Sequence, residues 1–326
     1  MYMSKEISVV IPNFNGEAFL ENCLNSLKEQ SFKDLEIIIV DDCSNDDSLI
    51  ILKSHPEIRL ILNEKNSGFA VSVNNGIRAA RGRYVLLLNN DVVVADDFVE
   101  KLYQAIDKDE RIFSVSSRMI RYYERDKIDD TGDFYNIFGW AYKRGDGKNV
   151  SRLLKPTSIF STCAGAGIYR KSIFDEIGLF DEHYFAYLED VDVSYRGRIY
   201  GYKNRYEPSA ICYHIGSATT ADGNKYSEFK VKISARNNIY TAYKNMPFLQ
   251  LVINFIFLAL GFLIKGAMFS VSGYGRTYWS GIREAFLSLN KVRKTPFKMR
   301  HILNYIKIEG MLFCNVFRYL FEKISK

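Results

Sequence analysis

The sequence predicts an α/β fold with a mostly parallel central sheet flanked by helices, followed by a helical C-terminal region. Segments typical of strands and of helices alternate over about the first hundred residues, as in the βα units that build parallel sheets. Residues 84–88 (YVLLL) are apolar throughout, which is typical of a strand buried on both faces. The last third of the chain is rich in long apolar and basic segments. We therefore expect two regions, residues 1–226 and residues 227–326.

Hydrophobic periodicity places the individual elements of the first region. Predicted strands cover residues 7–11, 35–40, 58–62, 84–88 and 112–115. Predicted helices, in which apolar side chains recur every three or four residues, cover residues 16–30, 66–80 and 96–108. We expect Gly82 to end the second of these helices, because glycine is common after a helix C-terminus. We expect Ser44 to cap a short helix after the second strand.

Periodicity is lost between residues 121 and 158, and such a long irregular segment in a compact domain is usually functional or mobile. Its aromatic side chains include Phe134, Tyr135, Phe138, Trp140 and Tyr142. These rings could stack on a sugar or a nucleobase, or they could pack the segment against the sheet. Packing is the favoured interpretation.

The net charge of +6 is unevenly distributed, with Lys and Arg concentrated in the last third. Such a region suits an anionic membrane surface or a phosphate-bearing substrate, and in the absence of a recognition motif we expect no nucleic-acid partner. The five cysteines are scattered and never spaced as Cys-x-x-Cys, which argues against a disulfide framework or a structural zinc site. The N-terminal apolar stretch is too short for a signal peptide, so we expect the first region to be intracellular.

The strand over residues 84–88 ends in Asn89, Asn90 and Asp91. Ligands of open α/β sheets bind just beyond the carboxyl ends of such strands. A lone carboxylate on an oxygen-rich turn can bind a divalent cation that takes its other ligands from water and a substrate diphosphate. The same three residues are also common in ordinary turns, so both interpretations remain open at this point.

A second polar cluster comprises Glu189, Asp190 and Asp192, at the start of a predicted amphipathic helix that runs to about residue 200. Carboxylates are favourable at a helix N-terminus. Three carboxylates in four residues also repel one another, which raises at least one pKa and suits a general base. Further along, His214 ends a short predicted strand, where a lone histidine is more often structural than a ligand.

Seven short motifs follow one another between residues 6 and 217. They are residues 10–16 (VIPNFNG), 40–46 (VDDCSND), 66–70 (NSGFA), 88–91 (LNND), 178–182 (GLFDE), 189–192 (EDVD) and His214. Together they resemble the family 2 glycosyltransferases, especially the rhamnosyltransferase-like branch. The resemblance implies the GT-A fold, a nucleotide-diphosphate sugar donor, Mg2+ or Mn2+ as cofactor, and inversion at the anomeric carbon.

The resemblance assigns donor binding to seven residues. These are Pro12, Asn13, Asn15, Asp41, Asn66, Asn89 and Asn90. It implies that the first three line the nucleotide pocket and that Asp41 holds the base or the ribose.

The resemblance also assigns catalysis and metal binding. Asp190 is the implied catalytic base, with Glu189 beside it. Asp91 is the implied metal carboxylate of the family's Asp-x-Asp motif, and His214 is the implied second ligand. The first acidic position of that motif is Asn89 here, which removes one charge from the metal site; the rhamnosyltransferase-like branch commonly has this form.

Residues 248–264 form the most apolar segment of the chain, but this segment is short for a simple bilayer span and contains Gln250 and Asn254. The alternatives are a span, a re-entrant or interfacial helix, and a buried core helix. Basic amphipathic segments follow over residues 278–294 and 301–326. We expect residues 227–326 to be a membrane-associating region that holds the protein at the cytoplasmic face of the cell membrane.

The expected function is an inverting, metal-assisted glycosyltransferase that extends a lipid-linked (polyprenyl diphosphate) glycan in cell-surface polysaccharide biosynthesis. The expected donor is dTDP-rhamnose, with a UDP-sugar as the second choice. One alternative is a catalytically weak sugar-nucleotide-binding or scaffold subunit, motivated by Asn89. A dinucleotide-dependent oxidoreductase is disfavoured, because no Gly-x-Gly-x-x-Gly follows the first strand.

Overall fold

A computed structural model describes residues 5–216 and 226–324 of the protein. The strands are β1 (Ile7–Asn13), β2 (Leu35–Asp41), β3 (Arg59–Leu62), β4 (Tyr84–Leu88), β5 (Val92–Val94), β6 (Ile112–Arg121), β7 (Ile128–Asp130), β8 (Asp133–Tyr135), β9 (Ala141–Lys143), β10 (Thr157–Ser158), β11 (Ala166–Arg170) and β12 (Lys203–His214). The helices are α1 (Glu17–Lys28), α2 (Ser48–Lys53), α3 (Phe69–Ala79), α4 (Phe98–Asp107), α5 (Lys171–Ile177), α6 (Glu189–Ile199), α7 (Glu228–Asn245), α8 (Phe248–Val271), α9 (Gly275–Ser288) and α10 (Ile302–Ile324).

The central sheet has the strand order β10-β12-β6-β11-β4-β1-β2-β3. β1 pairs in parallel with both β2 and β4, and β2 pairs in parallel with β3. β11 lies antiparallel between β4 and β6, whereas β12 is parallel to β6. The predicted parallel arrangement is therefore confirmed for the first four strands, whereas β5, β7, β10 and β11 pair antiparallel with their neighbours.

Successive side chains of β1 point to opposite faces of the sheet and contribute to two cores. Val9 belongs to the core that contains Leu20 of α1. Val10 belongs to the core that contains Val73 of α3. Helices cover both faces of β4, so residues 84–88 are fully buried; the one polar group among their side chains, the Tyr84 hydroxyl, donates to Asp107 at 2.6 Å.

Two predicted helix boundaries are wrong, because long-range hydrogen bonds compete with the local pattern. α3 begins at Phe69, not at residue 66, since the N–H groups of Ser67 and Gly68 donate to the Asp42 carboxylate at 2.9 and 2.8 Å. Gly82 does not end the helix, because Ala80 is already extended. Gly82 instead packs against β1, where a Cβ would lie 2.6 Å from the backbone nitrogen of Ser8.

The predicted cap at Ser44 is also wrong. α2 begins only at Ser48. The hydroxyl of Ser44 instead donates to Oδ2 of Asp41 at 2.6 Å, and the backbone N–H of Ser44 donates to Oδ1 of the same carboxylate at 3.0 Å. Ser44 therefore closes the turn at the end of β2.

The segment over residues 121–158 contains the short strands β7 to β10. Phe134 and Tyr135 are buried, so the prediction that aromatic side chains pack this segment is confirmed for both rings. Trp140 Nε1 donates to the carbonyl of Gly261 in α8 at 3.0 Å. This hairpin, β8 and β9 with the turn between them, therefore joins the sheet to the C-terminal helices.

α7 packs against α6 through a buried cluster of charged and polar side chains. Asp192 of α6 is fully buried, and its carboxylate accepts hydrogen bonds from Lys244 and Asn245 of α7 at 3.0 and 2.7 Å and from Arg196 at 2.9 Å. The same ion pairs anchor α7 beside the motif that contains Asp190. The division at residue 226, drawn from composition, stays a prediction.

Among the described residues, α8 is the one helix that is long and apolar enough to cross a membrane. Most of its apolar side chains are exposed, so a wholly buried core helix is excluded. Gln250 and Asn254, which interrupt the apolar run in the sequence, face inward and donate to Oε2 of Glu309 in α10 at 2.6 and 3.0 Å.

Candidate active site

The carboxyl ends of β1, β2 and β4 meet at one edge of the sheet. Asn13 and Asp41 are paired in register, and Asn13 Nδ2 donates to Asp41 Oδ2 at 3.0 Å. Asn13 Oδ1 accepts a hydrogen bond from Asn90 Nδ2 at 2.7 Å. Three residues predicted to bind the donor, separated by up to 77 positions in the sequence, are thus in direct contact.

The other predicted donor-binding residues border the same edge. Pro12 is half-buried in β1, next to Asn13. Asn15 has a φ of 52°, and its Oδ1 accepts a hydrogen bond from the backbone N–H of Asn45 at 2.9 Å. Asn66 is exposed in the loop before α3, beside the Ser67 N–H that is bound to Asp42.

Asp91 and His214, the predicted metal ligands, are brought together by the pairing of β5 with the end of β12. Oδ2 of the buried Asp91 lies 3.3 Å from Nε2 of His214. Nδ1 of His214 lies 2.9 Å from Oδ2 of Asp129. Oδ1 of Asp91 is buried and has no hydrogen-bond partner within the described part of the chain.

This arrangement fits a divalent cation in two respects. The unpartnered Oδ1 of Asp91 is an available hard oxygen ligand. Asp129 orients His214 from Nδ1 and so directs Nε2 toward Asp91, as carboxylates bonded to the other ring nitrogen commonly do for metal-binding histidines. Within residues 5–216 and 226–324, however, no group of three or more His, Cys, Asp or Glu side chains could hold an ion alone. A cation here would therefore need further ligands from a donor and from water.

Asp190 is at the start of α6, close to the end of β4. Its Oδ2 accepts a hydrogen bond from the backbone N–H of Ala164 at 3.3 Å, and its Oδ1 accepts one from its neighbour Val191 at 2.8 Å. The backbone carbonyl of Gly165, the residue after Ala164, accepts a hydrogen bond from the backbone N–H of Asn89 at 2.9 Å. The segment before β11 therefore places the predicted base beside the polar end of β4.

Residues 8–178 match the family model described as Glycosyl transferase family 2. The chain belongs to this family.

Two curated relatives illustrate the similarity. Glycosyltransferase GlyG of Streptococcus pneumoniae is 32% identical over 137 residues, which cover 41% of this chain and 44% of the relative. The teichuronic acid biosynthesis glycosyltransferase TuaG of Bacillus subtilis, whose assignment is provisional, is 37% identical over 99 residues, which cover 29% of this chain and 39% of the relative. The chain thus spans less than half the length of either relative.

Solved structures confirm the predicted GT-A fold. The crystal structure of GalNAc-T7 with UDP, GalNAc and Mn2+ superposes with a TM-score of 0.60 at 18% sequence identity, covering 74% of this chain and 48% of that chain. At this identity the likeness concerns the fold alone. The family 2 glycosyltransferases are transferases that act with inversion, whereas the rhamnosyltransferase-like branch stays a prediction.

The three carboxylates of the glycosyltransferase's α6 motif differ in their surroundings. Burial raises the pKa of Asp190, although backbone N–H groups oppose the shift. Burial and the adjacent Asp190 charge raise the pKa of Glu189 well above its usual range. The pKa of Asp192 is lowered: burial opposes this, but Arg196 and Lys244 hold the carboxylate ionised. Asp192 therefore has a structural role, and Asp190 and Glu189 are left as candidate bases.

His214 has a raised pKa of about 9. Burial alone would lower it, but the hydrogen bonds to Asp129 and Asp91 and the negative charges of both carboxylates prevail. The imidazole is therefore protonated at neutral pH in this structure. Because a histidine must be neutral to bind a metal ion, cation binding here would release a proton.

Four charged residues near this site were not predicted from the sequence, namely Asp129, Asp130, Asp133 and Lys143. Lys143 Nζ lies 3.1 Å from Oδ2 of Asp129. Burial raises the pKa of Asp130 to about 7, although Lys143 opposes the shift. The pKa of Asp133 is raised by its burial and by the charges of Asp130 and Asp190. The sequence pattern that could have pointed to them is the presence of three aspartates within five residues of an irregular segment.

The loop that leads into α6 is held in an unusual conformation. Phe185, Tyr187 and Leu188 have φ angles of 64°, 67° and 67°, which are uncommon for residues with large side chains. Nδ2 of Asn237 in α7 donates to the carbonyls of Tyr184, Ala186 and Tyr187 at distances of 2.9, 2.9 and 2.7 Å. A single amide thus fixes the backbone immediately before Glu189.

We expect Asn237→Ala to lower kcat by about 10- to 100-fold if Glu189 or Asp190 is the base, because loss of the amide lets the loop and these two candidate carboxylates move. Donor affinity should stay unchanged, since Asn237 contacts no donor-binding residue. Steady-state kinetics and donor titration measure the two quantities. Asn238→Ala is the matched control, because among the described residues the Asn238 amide donates to Ser234 within α7 itself. Equal losses in both variants would contradict a positioning role for Asn237.

Turnover should also fall as the pH is lowered through the raised pKa of Asp190. The base must be ionised to accept a proton, so the active form is lost on the acid side, at a pH above the usual aspartate value of 3.8. A profile of log kcat against pH at saturating donor and cation measures this, with circular dichroism to confirm folding at each pH. A flat profile down to pH 4 in folded protein would contradict the assignment.

Proposed function

We propose that this protein is an inverting glycosyltransferase that moves a sugar from a nucleotide-diphosphate donor to a hydroxyl of a lipid-linked glycan. One observation carries the proposal. The unpartnered Asp91 oxygen and the Asp190 carboxylate, whose pKa is raised, lie on either side of the contact between Asn89 and Gly165. A group that could bind a donor through a cation and a group that could deprotonate an acceptor therefore share one edge of the sheet.

The donor side of the proposal rests on the hydrogen-bonded ends of β1 and β2. Asn13, Asp41 and Ser44 already form a closed hydrogen-bond network. This network fixes the Asp41 carboxylate at the edge where Pro12 and Asn15 border open solvent. We infer that the nucleoside binds against this rigid surface, with its diphosphate directed toward Asp91.

A Mg2+ or Mn2+ ion at Asp91 would neutralise the charge that develops on the departing nucleoside diphosphate. His214 and Asp91 are the residues that would hold it. Asp190 acts on the acceptor: it accepts the proton of the attacking hydroxyl while the new glycosidic C–O bond forms and the C–O bond to the diphosphate breaks on the opposite face. The anomeric configuration is thereby inverted in one step, without a covalent intermediate.

The proposed acceptor is a polyprenyl-diphosphate-linked glycan in the assembly of a cell-surface polysaccharide. The name of the TuaG relative, which refers to teichuronic acid biosynthesis, supports a polysaccharide product. For the donor we propose dTDP-rhamnose first and a UDP-sugar second; the presence of UDP in the GalNAc-T7 structure supports the second. The exposed apolar surface of α8 supports a location at a membrane, and we propose its cytoplasmic face.

A second candidate function is a catalytically weak, sugar-nucleotide-binding subunit. Asn89 favours it, because the amide gives the proposed cation one carboxylate fewer than an Asp-x-Asp motif would. Donor hydrolysis with added Mg2+ or Mn2+ separates the two: an active transferase releases the nucleoside diphosphate slowly to water, whereas a pure binding subunit releases none.

A thermal-shift panel of nucleotide sugars tests the proposal. A true donor at about 100 times its Kd should stabilise the fold by about 2.7 kcal/mol, which for a chain of this size raises Tm by about 4 °C. The panel contains dTDP-rhamnose and UDP-sugars, each with and without Mn2+, and NAD as the negative control. Stabilisation by NAD alone, or by no nucleotide sugar, would overturn the proposed function.

A further inference from the structure

α8 packs on the protein along its whole length. Gln250 and Asn254 bind Glu309, and Leu258 is buried beside the turn of the β8–β9 hairpin. At Gly261 a Cβ would lie 2.2 Å from the Phe138 carbonyl oxygen, and at Gly266 it would lie 2.4 Å from the Trp279 ring. These positions recur about every four residues, so they form one continuous inner face.

The opposite face of α8 is a continuous apolar stripe. Its exposed side chains are Leu249, Val252, Ile253, Ile256, Leu260, Leu263, Ile264, Met268 and Val271. No described part of the protein covers this stripe. Single exposed hydrophobic residues are common on protein surfaces, but a continuous apolar stripe along a whole helix indicates an interaction surface.

α10 has the same two-sided construction and packs on the same hairpin. On its inner face, the Leu312 carbonyl accepts a hydrogen bond from the backbone N–H of Ile137 at 3.1 Å, and Asn315 Nδ2 donates to the Tyr135 carbonyl at 2.8 Å. Its outer face is apolar as well. The exposed side chains are Ile302, Leu303, Ile306, Phe313, Phe317, Leu320, Phe321 and Ile324.

The acidic and basic side chains of α10 differ in their exposure. The acidic side chains are directed toward the protein, where Glu309 accepts hydrogen bonds from α8 and Glu322 lies 2.9 Å from Lys148. The exposed charged residues of α10 are basic: Lys307, Arg318 and Lys323. An apolar face bordered by basic side chains complements a bilayer that contains anionic lipids.

We propose that α8 and α10 lie together in the plane of the lipid–water interface, with both apolar faces in an anionic bilayer, and that α8 does not cross it. This inference rests on the membrane association in the proposed function and identifies the surface and its orientation. A helix of 24 residues is about 36 Å long, enough to span. A spanning α8 would nevertheless carry the hairpin into the hydrocarbon, together with Lys143, which pairs with Asp129 beside His214. Charged and polar backbone groups are unfavourable there.

The position of the C-terminal end of α8 tests the orientation. Ser272 is exposed just beyond α8, and Ser280 is exposed on α9. The full chain carries Cys314→Ser, which removes one of the two exposed cysteines, and is placed in sealed inside-out membrane vesicles. A membrane-impermeant maleimide is then added. Its reaction with the other exposed cysteine, Cys43, shows on which side of the membrane the candidate site lies. We expect Ser272→Cys and Ser280→Cys, each in a Cys43→Ser background, to react from the same side as Cys43. Reaction only after detergent treatment would show a spanning α8 and overturn the inference, while membrane association itself would stand.

Binding to vesicles of phosphatidylcholine and phosphatidylglycerol provides the second measurement. Ile306→Asp and Phe313→Asp on the outer face of α10 should each reduce recovery with floated vesicles at least tenfold. Ile50→Asp is the matched control, since Ile50 is equally exposed on α2, away from this surface. Unchanged recovery of both α10 variants would overturn the inference. Failure of the unaltered chain to float would instead contradict the membrane association in the proposed function.

Discussion

Asp190→Asn should reduce sugar transfer by about 100- to 10,000-fold, the usual loss on removing a general base. The amide keeps one acceptor oxygen for the two backbone N–H groups of Ala164 and Val191 that the carboxylate binds, so the Tm of the variant is measured beside its turnover to check the fold. Because Asp190 is proposed to contact the acceptor hydroxyl and not the nucleotide, donor affinity should change by no more than about twofold. Single-turnover transfer and calorimetric donor titration measure the two effects.

Two neighbouring carboxylates serve as controls for this experiment. Asp192→Asn should lower Tm, because Arg196 and Lys244 lose a fully buried counter-charge. Glu189→Gln tests the alternative base, since Glu189 is buried with an unpartnered Oε2 in the described structure. Retention of more than a tenth of the turnover in Asp190→Asn, with a larger loss in Glu189→Gln, would transfer the role of base to Glu189.

The strands could be predicted because their signal is local. Residues 84–88 are apolar in the sequence and completely buried in β4. The first strand was predicted two residues too short, since Pro12 and Asn13 remain paired with Val40 and Asp41 although neither residue is typical of a strand. The start of α3 was missed because the carboxylate that holds its preceding loop, Asp42, lies 25 residues earlier in the chain. Periodicity contains no information about such a contact.

The same distinction applies to the site. Asp91 was predicted from its place at the end of a buried strand, whereas Asn13 and Asp41 were assigned by the family resemblance; the structure brings Asn13 and Asp41 together at the sheet edge, and their roles stay predictions. Asp129 could not, because it reaches His214 across 85 residues and lies in a segment without periodicity. The contacts of Asn237 could not be predicted for a further reason. In the sequence it is one polar residue of a helix, and its three carbonyl partners depend on the conformation of the loop before α6.

For α8 the sequence leaves three alternatives open: a span, a re-entrant or interfacial helix, and a buried core helix. Gln250 and Asn254 looked like interruptions of a possible membrane span. In the structure both amides lie on the inner face of α8 and bind Glu309, a residue 55 positions or more away. The interruptions therefore mark the side of the helix that packs on protein, and they leave the other side uniformly apolar.

Asp91→Ala should reduce transfer by about 1,000-fold, because a bound cation contributes several kcal/mol to such reactions and each ~1.4 kcal/mol is tenfold. The substitution removes the only proposed carboxylate ligand, so it should also abolish donor-dependent Mn2+ binding, measured by electron paramagnetic resonance with the nucleoside diphosphate present.

Asp129→Asn provides a graded comparison for Asp91→Ala. This variant keeps both proposed ligands and loses only the charge that orients His214, so Mn2+ affinity should fall by about 10- to 100-fold and not disappear. The informative result is that Mn2+ binding is lost in Asp91→Ala but only weakened in Asp129→Asn. If both aspartates had a purely structural role, each variant would have a lower Tm and the two would not differ in Mn2+ affinity. Equal activity of the unaltered protein in EDTA and in Mn2+ would show that transfer does not use the ion, and it would remove both Asp91 and His214 from the proposed metal site.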